Sequence, residues 1–412
     1  MGNLFLMRNL PAVLLFIFVS LPAFLLGGTV LSGYEDLKNI VSKKDTGTGI
    51  VITTPLSRIV YQRRTNGKTL VPVKGTCFEK TFRVEARLVA RGKGQGKTSK
   101  WQKIKIVNPA GAFSGTIEGS DGWYDLEVRC KIAKPDWKKT KLERVGIGEV
   151  FIVVGHSVAQ GGEINGEGAV DDRVSTIALD EKSESFDKKY LTTGDPGYLP
   201  DAVFVQAATG IAQAPFAHGN YFWSKFAELV VQKENVPVLI FNAAFGGTSL
   251  EHWAKSSQNI RFEHGFVRSD IRMPYINLFN TFKKYISLTG LRALLADQGQ
   301  NDSGQKDAGI ILANYKIFVQ QAREDLNYPK LAVVINRQMP KNAPAVRVAQ
   351  ERMIKEPYCF PGPDYNMYLQ EKDFVDGIHL SLAGVEKAAH LWANALTPAF
   401  FKKVEPWIPS WQ

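Results

Sequence analysis

The strongest constraint on the fold is a change of period near residue 140. Before it, apolar residues alternate with charged ones. Phe82, Val84, Ala86 and Leu88 interleave with Arg83, Glu85 and Arg87, and Tyr124, Leu126 and Val128 with Asp125, Glu127 and Arg129. A period of two buries one face of an extended strand and leaves the other in water. After residue 140, continuous apolar runs take over: Val150–Val154, Ala202–Val205, Val236–Phe241, Leu291–Ala296 and Leu331–Ile335. Between and after them lie stretches of helical period at Tyr221–Lys233, Tyr275–Tyr285, Ala308–Asp325, Ala345–Lys355 and Ser381–Leu396. In the first, Phe222, Phe226, Leu229 and Val230 share a face. Five buried strands alternating with helices specify a mostly parallel sheet covered by helices on both sides.

A chain of 412 residues is long enough for two sizeable cores. The expected division is a small antiparallel β-sandwich over residues 50–145 and an α/β domain over 146–412, with the basic segment Pro135–Thr140 as a hinge. Asn66-Gly67, Gly92–Lys100, Asn108-Pro109 and Asp121-Gly122 supply the turns of the first domain. Trp101 and Trp123 read as its core tryptophans in preference to sugar-stacking platforms.

The N-terminus carries an address. Pro11–Leu26 is apolar apart from Ser20, follows the single charge of Arg8, and is followed by Gly27 and Gly28. That run is short for a membrane span, and the layout is that of a secretory signal peptide over residues 1–28. An uncleaved N-terminal anchor is the second reading. Thr29–Gly49 is polar and glycine-rich, and reads as a linker. Export would place the mature chain in an oxidising compartment, where Cys77 and Cys130 of the β domain are free to pair. Three cysteines without CxxC spacing give no zinc signal. The net charge of +11 comes from lysines and arginines scattered along the chain, with no DNA- or RNA-binding motif. It reads as a solvated basic surface, not a nucleic-acid site.

The chemistry gathers around Val150–Gly162 (VFIVVGHSVAQGG), where an apolar strand stops at Gly155 and delivers Ser157 to the rim of the sheet. Ligands of parallel sheets bind beyond the carboxyl ends of the strands. Two further blocks follow strand ends: Asn242–Ser249 (NAAFGGTS) and Gly299–Asp302 (GQND). A fourth, Asp376–His379 (DGIH), precedes the last helix. A serine hydroxyl needs a base and a group that orients the base. His379 and Asp376, three apart in a turn eased by Gly377, fit those roles. The N–H groups of Ser157 and Gly247 and the amide of Asn301 are candidate donors for an oxyanion. Each block alone has a bland reading as a turn or a helix cap. Together they point to a serine esterase.

The order Gly-x-Ser, Gly, Gly-x-Asn-Asp, Asp-x-x-His resembles the SGNH (GDSL-like) hydrolase superfamily. GEVFIVVGHSVAQGG, NAAFGGTSLEHW and DGIHLSLAG are most similar to its sialate O-acetylesterase-like carbohydrate esterases, over roughly Gly148–Leu396. The resemblance implies a three-layer α/β/α sandwich with a five-stranded parallel sheet. It implies Ser157 as nucleophile, His379 as base and then acid, and Asp376 as its orienter. Ser157, Gly247 and Asn301 become the oxyanion donors, with no metal or organic cofactor. The partner implied is an acylated carbohydrate or polysaccharide, with no stable membrane insertion once the signal is cleaved.

Two residues depart from that branch: His156 stands where it has Gln, and Val158 where it has Asn. His156, Gly246, His252 and Trp253 are candidate substrate contacts, and for His156 a loop residue without a catalytic role is the favoured reading. Gln298–Asp302 is closer to the superfamily Gly-x-Asn-Asp than to the branch's Gly-Glu-Ser. Gly-His-Ser also suggests the α/β-hydrolase elbow, but that motif requires a glycine where Ala159 stands. Two rival functions fit the same fold: a non-catalytic carbohydrate-binding protein and a glycan O-acyltransferase.

Overall fold

The structure is a computed structural model that describes residues 48–410, apart from 109, 133–135, 163, 339 and 341. The expected signal peptide and nearly all of the expected linker lie outside the described residues. The first eight strands are β1 (Ile50–Thr54), β2 (Val60–Gln62), β3 (Lys68–Cys77), β4 (Arg83–Ala90), β5 (Gln102–Ile106), β6 (Ala112–Ser120), β7 (Gly122–Lys131) and β8 (Trp137–Gly155). Strands β1, β3 and β6 form one antiparallel layer, and β4, β7 and the first half of β8 another. Strand β5 belongs to both, pairing with β6 and with β4. The burial follows the alternation seen in the sequence at Val84, Ala86, Leu88, Leu126 and Val128, with Trp123 also inside, and departs from it at Phe82, which is exposed, and at Glu85, which is buried. Cys77 and Cys130 are buried free thiols in this core.

Strand β8 does not stop at the expected boundary of residue 145. Its first half pairs antiparallel with β7, and its second half is the central strand of the α/β sheet. The remaining strands are β9 (Val174–Ile177), β10 (Phe204–Gln206), β11 (Val238–Asn242), β12 (Ala293–Asp297), β13 (Ala332–Arg337) and β14 (Cys359–Asp364). Their order is β10-β9-β11-β8-β12-β13-β14. Six of them run parallel, and β10 is antiparallel to β9 at the edge. The expectation of five parallel strands is corrected on two counts. The run at Ala202–Val205 forms the antiparallel edge, and β9 and β14 join the parallel set. Strand β14 contains Pro361 and Pro363, which lack an N–H and are tolerated because it pairs on one side only.

The helices that position the site and cover the sheet include α1 (Ser157–Gln160), α2 (Trp223–Glu234), α3 (Leu250–Ser257), α4 (Tyr275–Thr281), α5 (Ala308–Asp325), α6 (Pro344–Met353) and α7 (Leu382–Ala395). Alternate residues of the central strands feed two separate cores. Phe151, Val153, Ile240 and Leu295 pack with Trp223, Phe226, Ala388 and Trp392 of α2 and α7. Ile152, Val154, Leu239 and Leu294 pack with Tyr275, Leu278, Phe318 and Val346 of α4, α5 and α6. This is the three-layer α/β/α arrangement, and it sends the ends of β8, β11 and β12 to one rim.

Candidate active site

Strand β8 ends at Gly155, whose φ is +142° and where a Cβ would lie 1.9 Å from the Asp297 carbonyl oxygen. Only glycine allows β8 and β12 to approach this closely at the rim. His156 then caps α1: its Nδ1 accepts from Val158 N at 3.2 Å. Ser157 opens the helix. Its Oγ lies 2.9 Å from His379 Nε2, and His379 Nδ1 lies 2.7 Å from Asp376 Oδ2. The other carboxylate oxygen, Asp376 Oδ1, accepts from the N–H groups of Ile378 at 2.9 Å and His379 at 2.7 Å. Asp376 is therefore fixed by its own turn before it touches the imidazole. Burial pushes this carboxyl up, but the His379 hydrogen bonds outweigh it and bring the pKa down to about 2. The Asp376 side chain is 50% exposed and that of His379 is 44% exposed, so the pair lies open to solvent.

On the other side of Ser157 is the loop after β11. Gly246 N donates to Gln160 Oε1 at 2.6 Å, so its N–H is spent on the loop. Gly247 has a φ of +73°, and a Cβ there would sit 2.5 Å from the Phe266 ring. Among the described residues, the N–H groups of Ser157 and Gly247 have no acceptor. Asn301 is exposed and uses one amide proton on the Thr248 carbonyl at 3.1 Å, leaving the second. Beside it, Asp302 Oδ1 accepts from Leu250 N at 2.9 Å and so anchors the first turn of α3. Burial pushes Asp302 up to about 6. A cavity of about 270 Å³ opens next to Asn301, lined by Ser249, Glu251, Asp302, Gln305 and Asn314 among others; Ser157 does not line it.

Two expected substrate contacts are corrected. His156 is fully buried, and its Nε2 lies 3.3 Å from Gln338 Nε2 and 3.4 Å from Gln300 N. Both ring nitrogens are engaged inside the protein. Burial, with His379 nearby, pulls its pKa down to about 3, so it is a neutral strut behind the serine loop. Trp253 is also buried: its Nε1 donates to Thr248 Oγ1 at 3.0 Å and its ring packs on Phe318. It shapes the glycine loop from behind. His252 is partly buried; its Nδ1 accepts from Ser249 N at 3.1 Å and its ring stacks on Phe262. It completes a capping box at α3.

Several residues around the serine loop carried no sequence signal. Gln160 clamps both neighbouring loops, through Gly246 N and the Phe216 carbonyl. Asp297 is fully buried beneath the loop, and its carbonyl accepts from His156 N at 3.3 Å. Tyr365 Oη and Asn336 Nδ2 each donate to its carboxylate at 2.6 Å. Burial still pushes Asp297 up to about 7. The expected strand stops one residue short of it, at Ala296, so the sequence does not single it out.

The family model for carbohydrate esterases described as sialic acid-specific acetylesterases (SASA) matches residues 148–397, more than half of the chain. The chain belongs to this family. It is a carbohydrate acetylesterase, a carboxylic ester hydrolase. No curated protein sequence matches it. Among solved structures it is similar to a carbohydrate acetylesterase from Xanthomonas citri, with 14% identity, 84% of this chain and 74% of that one covered, and a TM-score of 0.48. A protein from Arabidopsis thaliana is 15% identical over 62% of this chain and 98% of its own, with a TM-score of 0.41. NanS is 13% identical over 60% and 96%, with a TM-score of 0.39.

Proposed function

We propose that this esterase removes acetyl groups from an O-acetylated carbohydrate through a Ser157–His379–Asp376 triad and an acyl-enzyme. The observation that carries the reading is the continuous hydrogen-bond chain from Ser157 Oγ to His379 Nε2 at 2.9 Å and from His379 Nδ1 to Asp376 at 2.7 Å. Asp376, ionised down to pH about 2, holds the Nδ1 proton and leaves Nε2 free to accept. Ser157 Oγ attacks the acetyl carbonyl as His379 takes its proton. The tetrahedral oxyanion forms between the N–H groups of Ser157 and Gly247 and the free proton of the Asn301 amide. His379 returns the proton to the departing sugar hydroxyl. A water, deprotonated by the same nitrogen, then releases acetate and restores Ser157.

The decisive experiment compares wild type with Ser157→Ala and His379→Ala on a soluble chromogenic acetyl ester and on acetylated sialic acid. Each variant is expected to lose roughly a thousandfold or more in kcat with an unchanged Tm. Undiminished turnover in either variant would assign the chemistry to other residues. Export is proposed as well, on the strength of the apolar run Pro11–Leu26. Mass spectrometry of the mature chain should find an N-terminus near residue 28; an intact Met1 terminus in the cytoplasm rejects it.

A further inference from the structure

The basic residues that are dispersed in the sequence between Arg83 and Lys141 converge on one face of the β region. Val84, Ala86, Leu126, Val128 and Cys130 point into the core, so their neighbours along β4 and β7 lie on the opposite face, where Glu85 is buried beneath the arginines that pair with it. Register then sets the rows. Arg83 lies opposite Lys131, which lies opposite Trp137. Lys103, Glu85, Arg129 and Lys139 form the next row across β5, β4, β7 and β8. Arg87, Glu127 and Lys141 form the third. These rows hold seven cationic side chains against two carboxylates.

The two carboxylates do not neutralise the face. Glu85 pairs with Arg83 and Arg129, Glu127 pairs with Arg87, and Lys141 pairs outside the rows with Asp125 and Glu143. Among the described residues, Lys103, Lys131 and Lys139 have no carboxylate partner. Toward the other end of the sheet, the charges balance, with Arg91 on Asp125 and Arg144 on Asp172. The arginines of the basic end are also stacked. Arg129 lies 4.1 Å from the ring of Trp101 and 4.3 Å from that of Trp137, and Arg87 lies 4.5 Å from Trp101. Such guanidiniums are held in place before a ligand arrives, which lowers the ordering cost of binding.

We propose that this face docks an anionic polysaccharide, one carrying carboxylate or sulfate groups along its chain. Charge complementarity identifies the occupant. A four-strand row spans about 14 Å, which suits an extended linear polyanion better than a small ion. Polysaccharide is chosen over nucleic acid because the inference rests on the reading of the hydrolase as acting on carbohydrate. Lys139 and Ser157 lie near opposite ends of β8, at most about 60 Å apart along an extended chain. The face and Ser157 thus sit toward different ends of this one strand, so the docking face is separate from the residues around Ser157.

The test uses Lys103→Glu/Lys131→Glu/Lys139→Glu, and a milder Lys103→Gln/Lys139→Gln, with circular dichroism to check the fold. Mobility is measured in gels containing polygalacturonate, neutral dextran or single-stranded DNA. Wild type is expected to be retarded by polygalacturonate and not by dextran, and to be released as salt rises from about 0.05 to about 0.5 M. The triple variant should bind roughly tenfold more weakly and the double variant severalfold. Turnover of the small chromogenic ester should stay within about twofold of wild type. Wild type that is not retarded, variants that bind as wild type does, or tighter binding to DNA than to polygalacturonate would each overturn the proposal. Lack of turnover on the small ester, with polysaccharide binding intact, would strike the catalytic reading and leave the docking face standing.

Discussion

Where β8 enters the α/β sheet it carries Glu149, and just past its other end stands Ser157. Glu149 is fully buried and takes Arg292 at 2.7 and 2.9 Å, Arg63 at 2.7 Å and Gln62 at 2.9 Å. Burial pushes its carboxyl up, but the Arg292 and Arg63 guanidiniums outweigh that and hold it below the ordinary range. Arg292 is itself buried and spends a further proton on the Val404 carbonyl at 2.6 Å. At the far end Asp376 and His379 are half exposed, and the hydroxyl they face has no fixed structural task. Both ends contain short charge-assisted bonds. At the first, every partner is another part of the fold, so removing one leaves a buried charge unmatched. At the second, the last atom of the chain of hydrogen bonds is the proposed nucleophile, and on that proposal removing a link costs rate and not stability.

That contrast can be broken by four measurements. Asp376→Asn should lower kcat by roughly a thousandfold to ten-thousandfold with little change in Tm, because the amide no longer selects the imidazole tautomer. A drop in Tm with activity retained would put Asp376 on the structural side. Glu149→Ala should do the reverse, costing about 3–5 kcal/mol in denaturant unfolding while kcat of the folded enzyme is unchanged. Gly247→Ala should cost roughly tenfold to a hundredfold in kcat, since the left-handed backbone that aims its N–H is disfavoured with a Cβ. Adding Phe266→Ala separates the causes: recovery would make the loss a steric clash with that ring.

The smallest effect concerns His156. In the unfolded chain an imidazole takes its proton near 6.5, and in the folded state this one does so only near 3. The folded state therefore binds fewer protons, and its stability falls as pH drops below 6.5 toward 3, by about 1.4 kcal/mol per pH unit. Buried Asp297, held up at about 7, works in the opposite sense below neutrality. The difference between wild type and His156→Gln isolates the histidine. Between pH 6.5 and 5.5 the variant should hold its Tm better than wild type by an amount equivalent to about 1 kcal/mol. Equal pH dependence would mean that His156 titrates normally and is not a buried strut.

The sequence made the central architecture legible because its signals were local. The helical period over Ala308–Asp325 matches α5, and Ser381 caps α7 by accepting from Gly384 N. The blocks holding Ser157, Asp376 and His379 were visible because each follows a strand end or precedes a helix. What stayed hidden was set by tertiary pairing. Cys359–Asp364, with prolines at 361 and 363, is not among the expected strands, and is a strand because β13 offers it one edge. Trp253 looked like a surface aromatic after a glycine turn, but α5 covers it with Phe318. His156 looked like a polar rim residue, and its burial depends on Gln300 and Gln338, far along the chain. Spacing reports which residues can meet, and it is silent on which of them a later element will cover.

The unbroken passage of β8 from one layer into the next also bears on modularity. Strand β2 pairs with Gly146–Gly148 of β8, and Arg63, just after β2, reaches Glu149. Cutting the chain at residue 145 would sever a strand in mid-course and strip the buried Glu149 of one of its two cations. In this esterase the β region is no detachable cassette. It supplies part of the foundation on which the catalytic sheet stands, so recombination that swaps it for another module must bring a replacement for Arg63 along.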